Sequence, residues 1–225
     1  MEFQDVISRR HSVRGFTAQP VAREVVERLV ATASRSPSWS NVQGWHLAFA
    51  GGGVVEAIRR ELLAQADGSY NAQGLPQPEL PWLWEFPEPL KSRRRDCARR
   101  LYEEMGIDYA DREGRARAML RNFSLFCAPH LAVLSSHRNL GHYGLVDAGC
   151  FLQSFLLALV NEGLAGCAQA AVASHAPTLR RHLEIPENYW IVCGVAFGYE
   201  DAGDPANRTK TLRAPLAEFT SWKGF

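Results

Sequence analysis

The chain has almost no net charge: 25 Lys and Arg against 24 Asp and Glu leave a formal +1 at neutral pH. Such a balance provides no field for wrapping nucleic acid or adhering to an anionic membrane. The five cysteines (Cys97, Cys127, Cys150, Cys167, Cys193) include no Cys-x-x-Cys pair, and the seven histidines include no His-x-x-x-His. Metal-ligand spacing is therefore absent, and single cysteines among apolar neighbours read as buried, reduced thiols. Gly51-Gly52-Gly53 lacks the Gly-x-Gly-x-x-Gly spacing of a dinucleotide-binding turn, and nothing suggests a Ser-His-Asp triad. The acidic start, Met1 to Asp5, lacks the basic-then-apolar order of a secretory signal. The longest apolar run, Ala148 to Val160, is broken by Gln153 and Ser154 and is too short to span a bilayer. These absences lead to the expectation of a cytoplasmic protein with neither a membrane nor a nucleic-acid partner.

What is present is an ordinary globular composition, 46% hydrophobic and 22% charged over 225 residues, enough for one domain spanning 1–225. A short helix is expected to end near Arg9. Val21 to Ser34 has Val25, Val26, Leu29, Val30 and Ala33 at helical spacing, with Pro20 as a start signal. Trp45 to Ala50 reads as a strand stopped by glycines, and Val54 to Ala66 as a helix. Residues 67–90 hold five prolines with Trp82, Trp84 and Phe86 and cannot be a long helix. They form either an extended arm docked on the body or on a second subunit, or a lid whose aromatics stack on a substrate; the length of the segment favours the arm.

Lys91 to Met105 and Arg112 to Phe126 look helical. Arg93, Arg94, Arg95, Arg99 and Arg100 are offset by Asp96, Glu103 and Glu104, so a solvated ion-paired face is preferred over a nucleic-acid patch. His130 to Ser135 is a strand. Tyr143 to Asn161 is apolar nearly all round and must be buried in the core or against another subunit. Ala165 to Ala173 is small and extended, Pro177 to Leu183 a short helix, and Tyr189 to Tyr199 an inner strand, followed by a tail over 200–225. The fold class is α+β (α/β), with about four core strands among helices.

Two segments carry chemistry. Arg10, His11, Ser12 and Arg14 gather guanidinium groups, an imidazole and a hydroxyl, a set suited to a phosphomonoester; alone they also read as a solvated helix end. Pro37, Ser38, Asn41 and Gln43, followed by Trp45, place hydroxyls and amides where the edge of a ring system could meet them. In order and spacing the two segments resemble the opening of the nitroreductase family of FMN-dependent flavoproteins, in particular its nitrobenzoate-reductase-like members. Gly44 stands where that family usually has proline, which implies a more mobile loop.

The resemblance runs through most of the chain and implies a central, mostly antiparallel sheet of four to five strands in a homodimer, with FMN at the subunit interface. It assigns cofactor contacts to Arg10, His11, Ser12, Arg14, Pro37, Ser38, Asn41 and Gln43, and to Asn122 at the pyrimidine edge. Gln169, Ala170 and Ala171 fall in the segment along the reactive edge of the flavin, where small residues let backbone N–H groups approach; a tightly packed core strand explains the same residues. Arg213 matches a C-terminal basic motif that returns to the phosphate, with Lys210 a weaker match. No protein side chain is implied as catalytic and no metal is implied: flavin N5 carries the chemistry. NAD(P)H delivers hydride and leaves, and a small aromatic acceptor, such as a nitroaromatic, then takes the same berth in a ping-pong cycle. Alternatives on the same fold are a reductive dehalogenase, a dehydrogenase or a non-catalytic flavin-binding protein.

Overall fold

The computed structural model describes residues 1–66, 78–81 and 85–225; Trp82 and Trp84, and the choice between arm and lid, lie outside them. Helix α1 (Phe3–Arg9) precedes the extended Arg10–Phe16 segment. Helix α2 (Arg23–Ala33) starts two residues after Val21, because Val21 is buried and its N–H donates to His130 Nε2 at 2.8 Å. Strand β1 (Trp45–Gly51) runs into α3 (Gly52–Gln65), and α4 (Leu90–Glu104) and α5 (Arg112–Leu120) follow. Asp111 caps α5 by accepting the Gly114 N–H at 2.9 Å, as short acidic side chains do at helix starts.

Helix α5 stops six residues short of the expected Phe126. Leu125, Phe126 and Cys127 have φ of 54°, 53° and 63°, a left-handed turn that no helix can include. The Arg59 guanidinium holds it at both ends, donating to the Ser124 carbonyl at 2.9 Å and the Ala128 carbonyl at 2.6 Å. Pro129 then bars further helix, and the chain enters β2 (His130–His137).

Helix α6 (Gly141–Asn161) is followed by β3 (Ala165–Gln169), α7 (Ala170–Ala173), α8 (Ala176–Leu183) and β4 (Tyr189–Gly198). The expected extended run from 165 to 173 is thus half helix: after Gln169 the alanines follow their own helical propensity. The sheet order is β1-β2-β4-β3, antiparallel throughout, which meets the expected fold class.

Central strand β2 is buried on both faces. Leu131 and Val133 join Ile58, Leu62, Phe123 and Leu179 on one side, while Ala132 and Leu134 join Leu29, Phe151, Phe155 and Leu159 on the other. Each fully buried Phe or Leu contributes roughly 1.5–3 kcal/mol, so these two layers fix the strand order. At 21 residues, α6 is longer than the apolar run within it and, by length and composition, could cross a membrane. Instead it packs on α2, β1, β2 and β3, burying Phe151, Phe155 and Leu159. Only Cys167 and Cys193 are buried as expected of the thiols; Cys97 and Cys150 are half-buried and Cys127 is exposed on the left-handed turn.

Candidate cofactor site

The Arg10–Arg14 segment is not a loose helix end. Ser12 forms a parallel bridge with Gly166 of β3, and the Val13 N–H donates to the Gly166 carbonyl at 3.3 Å. From the other side, the Arg14 N–H donates to Asn207 Oδ1 at 2.6 Å, and Asn207 Nδ2 donates to the Gly15 carbonyl at 2.9 Å. Arg121 bridges the Arg14 carbonyl and the Asp204 carboxylate. A Cβ at position 15 would collide with the Asp204 side chain, so this close approach requires glycine. Chain segments some 190 residues apart therefore pin the motif's backbone and leave its side chains available.

Arg10 is half-buried, and its pKa lies below the usual arginine value, first because of burial and second because the Arg213 charge acts on it. Arg213 is exposed and donates, among the described residues, to Thr211 and the Leu212 carbonyl. Arg14 donates to the Ser12 carbonyl at 3.1 Å. Among the described residues none of Arg10, Arg14 and Arg213 is ion-paired with a carboxylate, whereas Arg121, Arg138 and Arg180 are. His11 turns away from the trio: Nδ1 lies 2.9 Å from the Arg9 carbonyl and Nε2 3.4 Å from Glu200. Beneath Ser12, burial pushes the Cys167 thiol up against the opposing influence of Arg14 and a Ser12 hydrogen bond. Lys210 is exposed.

Gln169 and Asn122 meet. Gln169 Nε2 donates to the Asn122 carbonyl at 2.8 Å and lies 3.3 Å from Asn122 Oδ1. Because a carbonyl only accepts, the orientation of the Gln169 amide is settled. Its Oε1 is then a buried acceptor with no partner among the described residues. Asn122 Nδ2 donates to the Met119 carbonyl at 3.0 Å, and a cavity of about 50 Å³ beside it is lined by Arg14, Met119, Arg121 and Phe126. Ala165 to Cys167 are buried in the packed interior, whereas Ala168 and Ala170 are exposed and Ala171 is half-buried. The tightly packed strand describes Ala165 to Cys167.

The second group, Pro37 to Gln43, closes on itself. The Gln43 N–H donates to Ser38 Oγ at 3.0 Å, and Gln43 Nε2 donates to Asn41 Oδ1 at 3.2 Å. Ser40, Asn41 and Gln43 have φ of 48°, 57° and 50°. Pro37, Asn41 and Gln43 are exposed and Ser38 is half-buried. A Cβ at Gly44 would run into Leu140, and the Gly44 carbonyl accepts the His137 N–H at 2.9 Å. Glycine there makes room for the Leu140 side chain. No hydrogen bond or ion pair among the described residues links this loop to the Arg10 group.

Sequence reasoning missed Arg121, Asp204 and Asn207, whose pairings span the length of the chain. The Asp204-Pro205 start of a short 3₁₀ turn was their one local signal, with Asp204 Oδ1 accepting the Ala206 N–H at 3.0 Å. It also missed Asp147, the one acidic residue of α6. A groove of about 670 Å³ between α2 and β1, lined by Val26, Val30, Phe49 and Phe197, includes none of the candidates. Its apolar walls offer little to a phosphorylated ring.

Residues 7–199 match the family model described as Nitroreductase family. A 4-nitrobenzoate reductase of Nocardioides sp. (strain LMS-CY) is 36% identical over 95% of this chain and 87% of that protein. A nitrobenzene nitroreductase of Ectopseudomonas oleovorans is 34% identical, with 97% of this chain and 95% of that protein covered. Among solved structures, the FMN and NADPH-dependent nitroreductase NfnB of Sphigopyxis sp. strain HMH superposes with a TM-score of 0.93 at 32% identity, covering 100% of both chains. With its sheet, its pinned N-terminal motif and this likeness over nearly its whole length, the chain belongs to the nitroreductase family.

Proposed function

We propose that the chain is an FMN-dependent oxidoreductase that passes electrons from NAD(P)H to nitroaromatic or related electron-poor acceptors. The observation that carries this reading is the Arg10–Arg213 pair: two like charges that act on one another, one of them half-buried, with neither ion-paired to a carboxylate among the described residues. Such an arrangement is costly alone and favourable around a dianion. The other donors fit the same cofactor. Arg14 and Ser12 stand on the same pinned segment, and Gln169 Oε1, buried with no partner among the described residues, is an acceptor for a ring N–H. His11 belongs to the segment by sequence but faces Arg9 and Glu200. Asn122, Ala170 and Ala171 complete this group, and Pro37, Ser38, Asn41 and Gln43 form the other.

When bound, the flavin supplies the two-electron redox chemistry between nicotinamide and acceptor. The protein binds the phosphate, orients the ring and leaves one face open to donor and acceptor in turn. No dinucleotide-binding turn is needed for a nicotinamide that stacks in a shared berth.

The working unit in this reading is a homodimer with FMN at the interface. Supporting it, the loop group and the arginine group are unconnected within one chain, and α6 leaves Tyr143 and Val146 62% and 61% exposed. Leu212, Leu216, Phe219 and Trp222 of the tail are exposed as well. Five free thiols suit a reducing cytoplasm.

The test is a visible spectrum of the purified protein, then anaerobic NADPH, then 4-nitrobenzoate. Flavin bands that bleach with the nucleotide and return with the acceptor are expected. A protein that binds FMN but is not reduced is a flavin-binding protein without turnover, and one that binds none refutes the reading.

A further inference from the structure

Helix α6 is apolar along most of its length, but one stripe of it is not. Tyr143, Asp147, Cys150 and Ser154 recur at i, i+4, i+7 and i+11, which places them on a single face. That face meets the 36–43 segment. The Tyr143 and Trp39 rings lie 5.1 Å apart, and Asp147 Oδ1 accepts the Trp39 N–H at 3.0 Å. The Ser36 hydroxyl lies 2.7 Å from Ser154 Oγ and 3.3 Å from the Cys150 carbonyl.

Between Pro37 and Gln43, the bond to Asp147 is the one hydrogen bond among the described residues that ties the loop to the rest of the fold. The loop includes three non-glycine residues in the left-handed region, a course that persists only when its surroundings over-determine it. Asp147 itself is 6% exposed, and its Oδ2 has no partner among the described residues. A buried, half-satisfied carboxylate is costly to keep, and its visible use is this one bond.

We propose that Asp147 is a positioning residue: by accepting the Trp39 N–H it fixes the backbone course of the Ser38–Gln43 loop and so presents Ser38, Asn41 and Gln43 to the bound ring. The role rests on the proposed function in one respect, that this loop faces the flavin.

Two arms test it. In the first, hydrogen exchange of the loop amides is read on the purified protein with and without FMN. Asp147→Leu speeds exchange of the Trp39 amide by about tenfold, the equivalent of one hydrogen bond, and Asp147→Asn, which keeps an acceptor oxygen, restores protection.

In the second arm, Trp39→Pro is compared with Trp39→Ala. Trp39 begins a short 3₁₀ helix, where proline is tolerated, so proline removes the N–H and alanine keeps it. Proline weakens FMN binding roughly tenfold more than alanine does; in the Asp147→Leu background that difference disappears. Saturating FMN restores kcat in each variant, which a general loss of fold would not allow. A Trp39 amide equally protected in Asp147→Leu overturns the proposal, as does a proline–alanine difference that persists without Asp147. Because the exchange arm includes the flavin-free protein, it decides the anchor even if the flavin reading itself fails.

Discussion

Replacing Arg10 with Gln separates an anion site from a structural arginine by the sign of two effects. In the proposed phosphate site, Arg10 makes a charge-assisted contact of about 1.5–3 kcal/mol. Its removal is then expected to raise the FMN dissociation constant roughly 10- to 150-fold. Arg213 is exposed, and solvent screening reduces its share to about 0.2–1 kcal/mol, at most roughly fivefold. Without FMN the effect on stability reverses. Burial and Arg213 both disfavour the charged form of Arg10, and no carboxylate among the described residues is ion-paired with it, so flavin-free Arg10→Gln is expected to unfold at an unchanged or higher urea concentration. The assay is calorimetric titration of FMN and, separately, riboflavin into stripped protein at low and high salt, with urea melts of the same samples. Riboflavin has no phosphate, so its affinity is expected to be the same in both proteins. An equal loss of affinity for riboflavin and FMN, or a flavin-free variant that melts earlier, would refute the assignment.

Three further outcomes follow from the geometry. Cys127→Gly is expected to stabilise the protein by about 1 kcal/mol, because an exposed residue at φ 63° carries the left-handed penalty that glycine escapes; a lower melting temperature would show that the Cys127 side chain matters to the turn. Gly15→Ala is expected to cost about 1–3 kcal/mol in urea unfolding, since its Cβ overlaps Asp204, and an unchanged midpoint would mean that Asp204 can step aside. Burial lowers the pKa of His130, with a hydrogen bond from its ring to the Ala50 carbonyl opposing. Its contribution to stability is therefore fully present above the unfolded value of about 6.5 and is lost as pH falls through the lower folded value. The urea midpoint should accordingly decline below about pH 6.5, and less steeply in His130→Asn; parallel declines would place the titration elsewhere, with His46 and His175, both also lowered by burial, the next candidates.

The sheet and the long helices were legible because burial writes itself into local periodicity. Val25, Val26, Leu29, Val30 and Ala33 mark α2, and the uninterrupted Leu131–Leu134 run marks a strand covered on both faces. The end of α5 was not legible, because Leu125, Phe126 and Cys127 enter the left-handed region without a glycine to announce it. What holds them there is Arg59, more than sixty residues earlier in the chain. The Ala170–Ala173 helix was hidden for the opposite reason: alanines fit a close-packed strand as readily as a helix. At the site, the motif residues were readable as types. The partners that fix their backbone (Arg121, Asp204, Asn207) were not, since each acts across a sequence distance that no local pattern encodes.

The distribution of paired and unpaired charge argues for where the ligand sits. Glu79 takes Arg138, Arg180 and the Ile191 N–H; burial works to raise its carboxyl, and these partners outweigh burial and hold it below the ordinary value. Glu61 takes Arg181, His182 and the Thr178 hydroxyl, which bring its carboxyl down to about 2. Asp204 takes Arg121. In each case an acid neutralises an arginine whose work is to join two elements of the fold. Arg10, Arg14 and Arg213 have no such partner among the described residues, although Asp204 lies close enough to Gly15 to collide with a Cβ there. Its carboxylate is turned to Arg121 and the Ala206 N–H, so it anchors the backbone of the motif without quenching the motif's charge. A fold that merely tolerated a basic N-terminus would have no reason to pin that segment from two directions, with Gly166 on one side and Asn207 on the other, while pairing its guanidinium groups with no carboxylate among the described residues. A pinned backbone suits the proposed anion site, because the geometry is then set before the ligand arrives and little ordering cost remains to be met on binding.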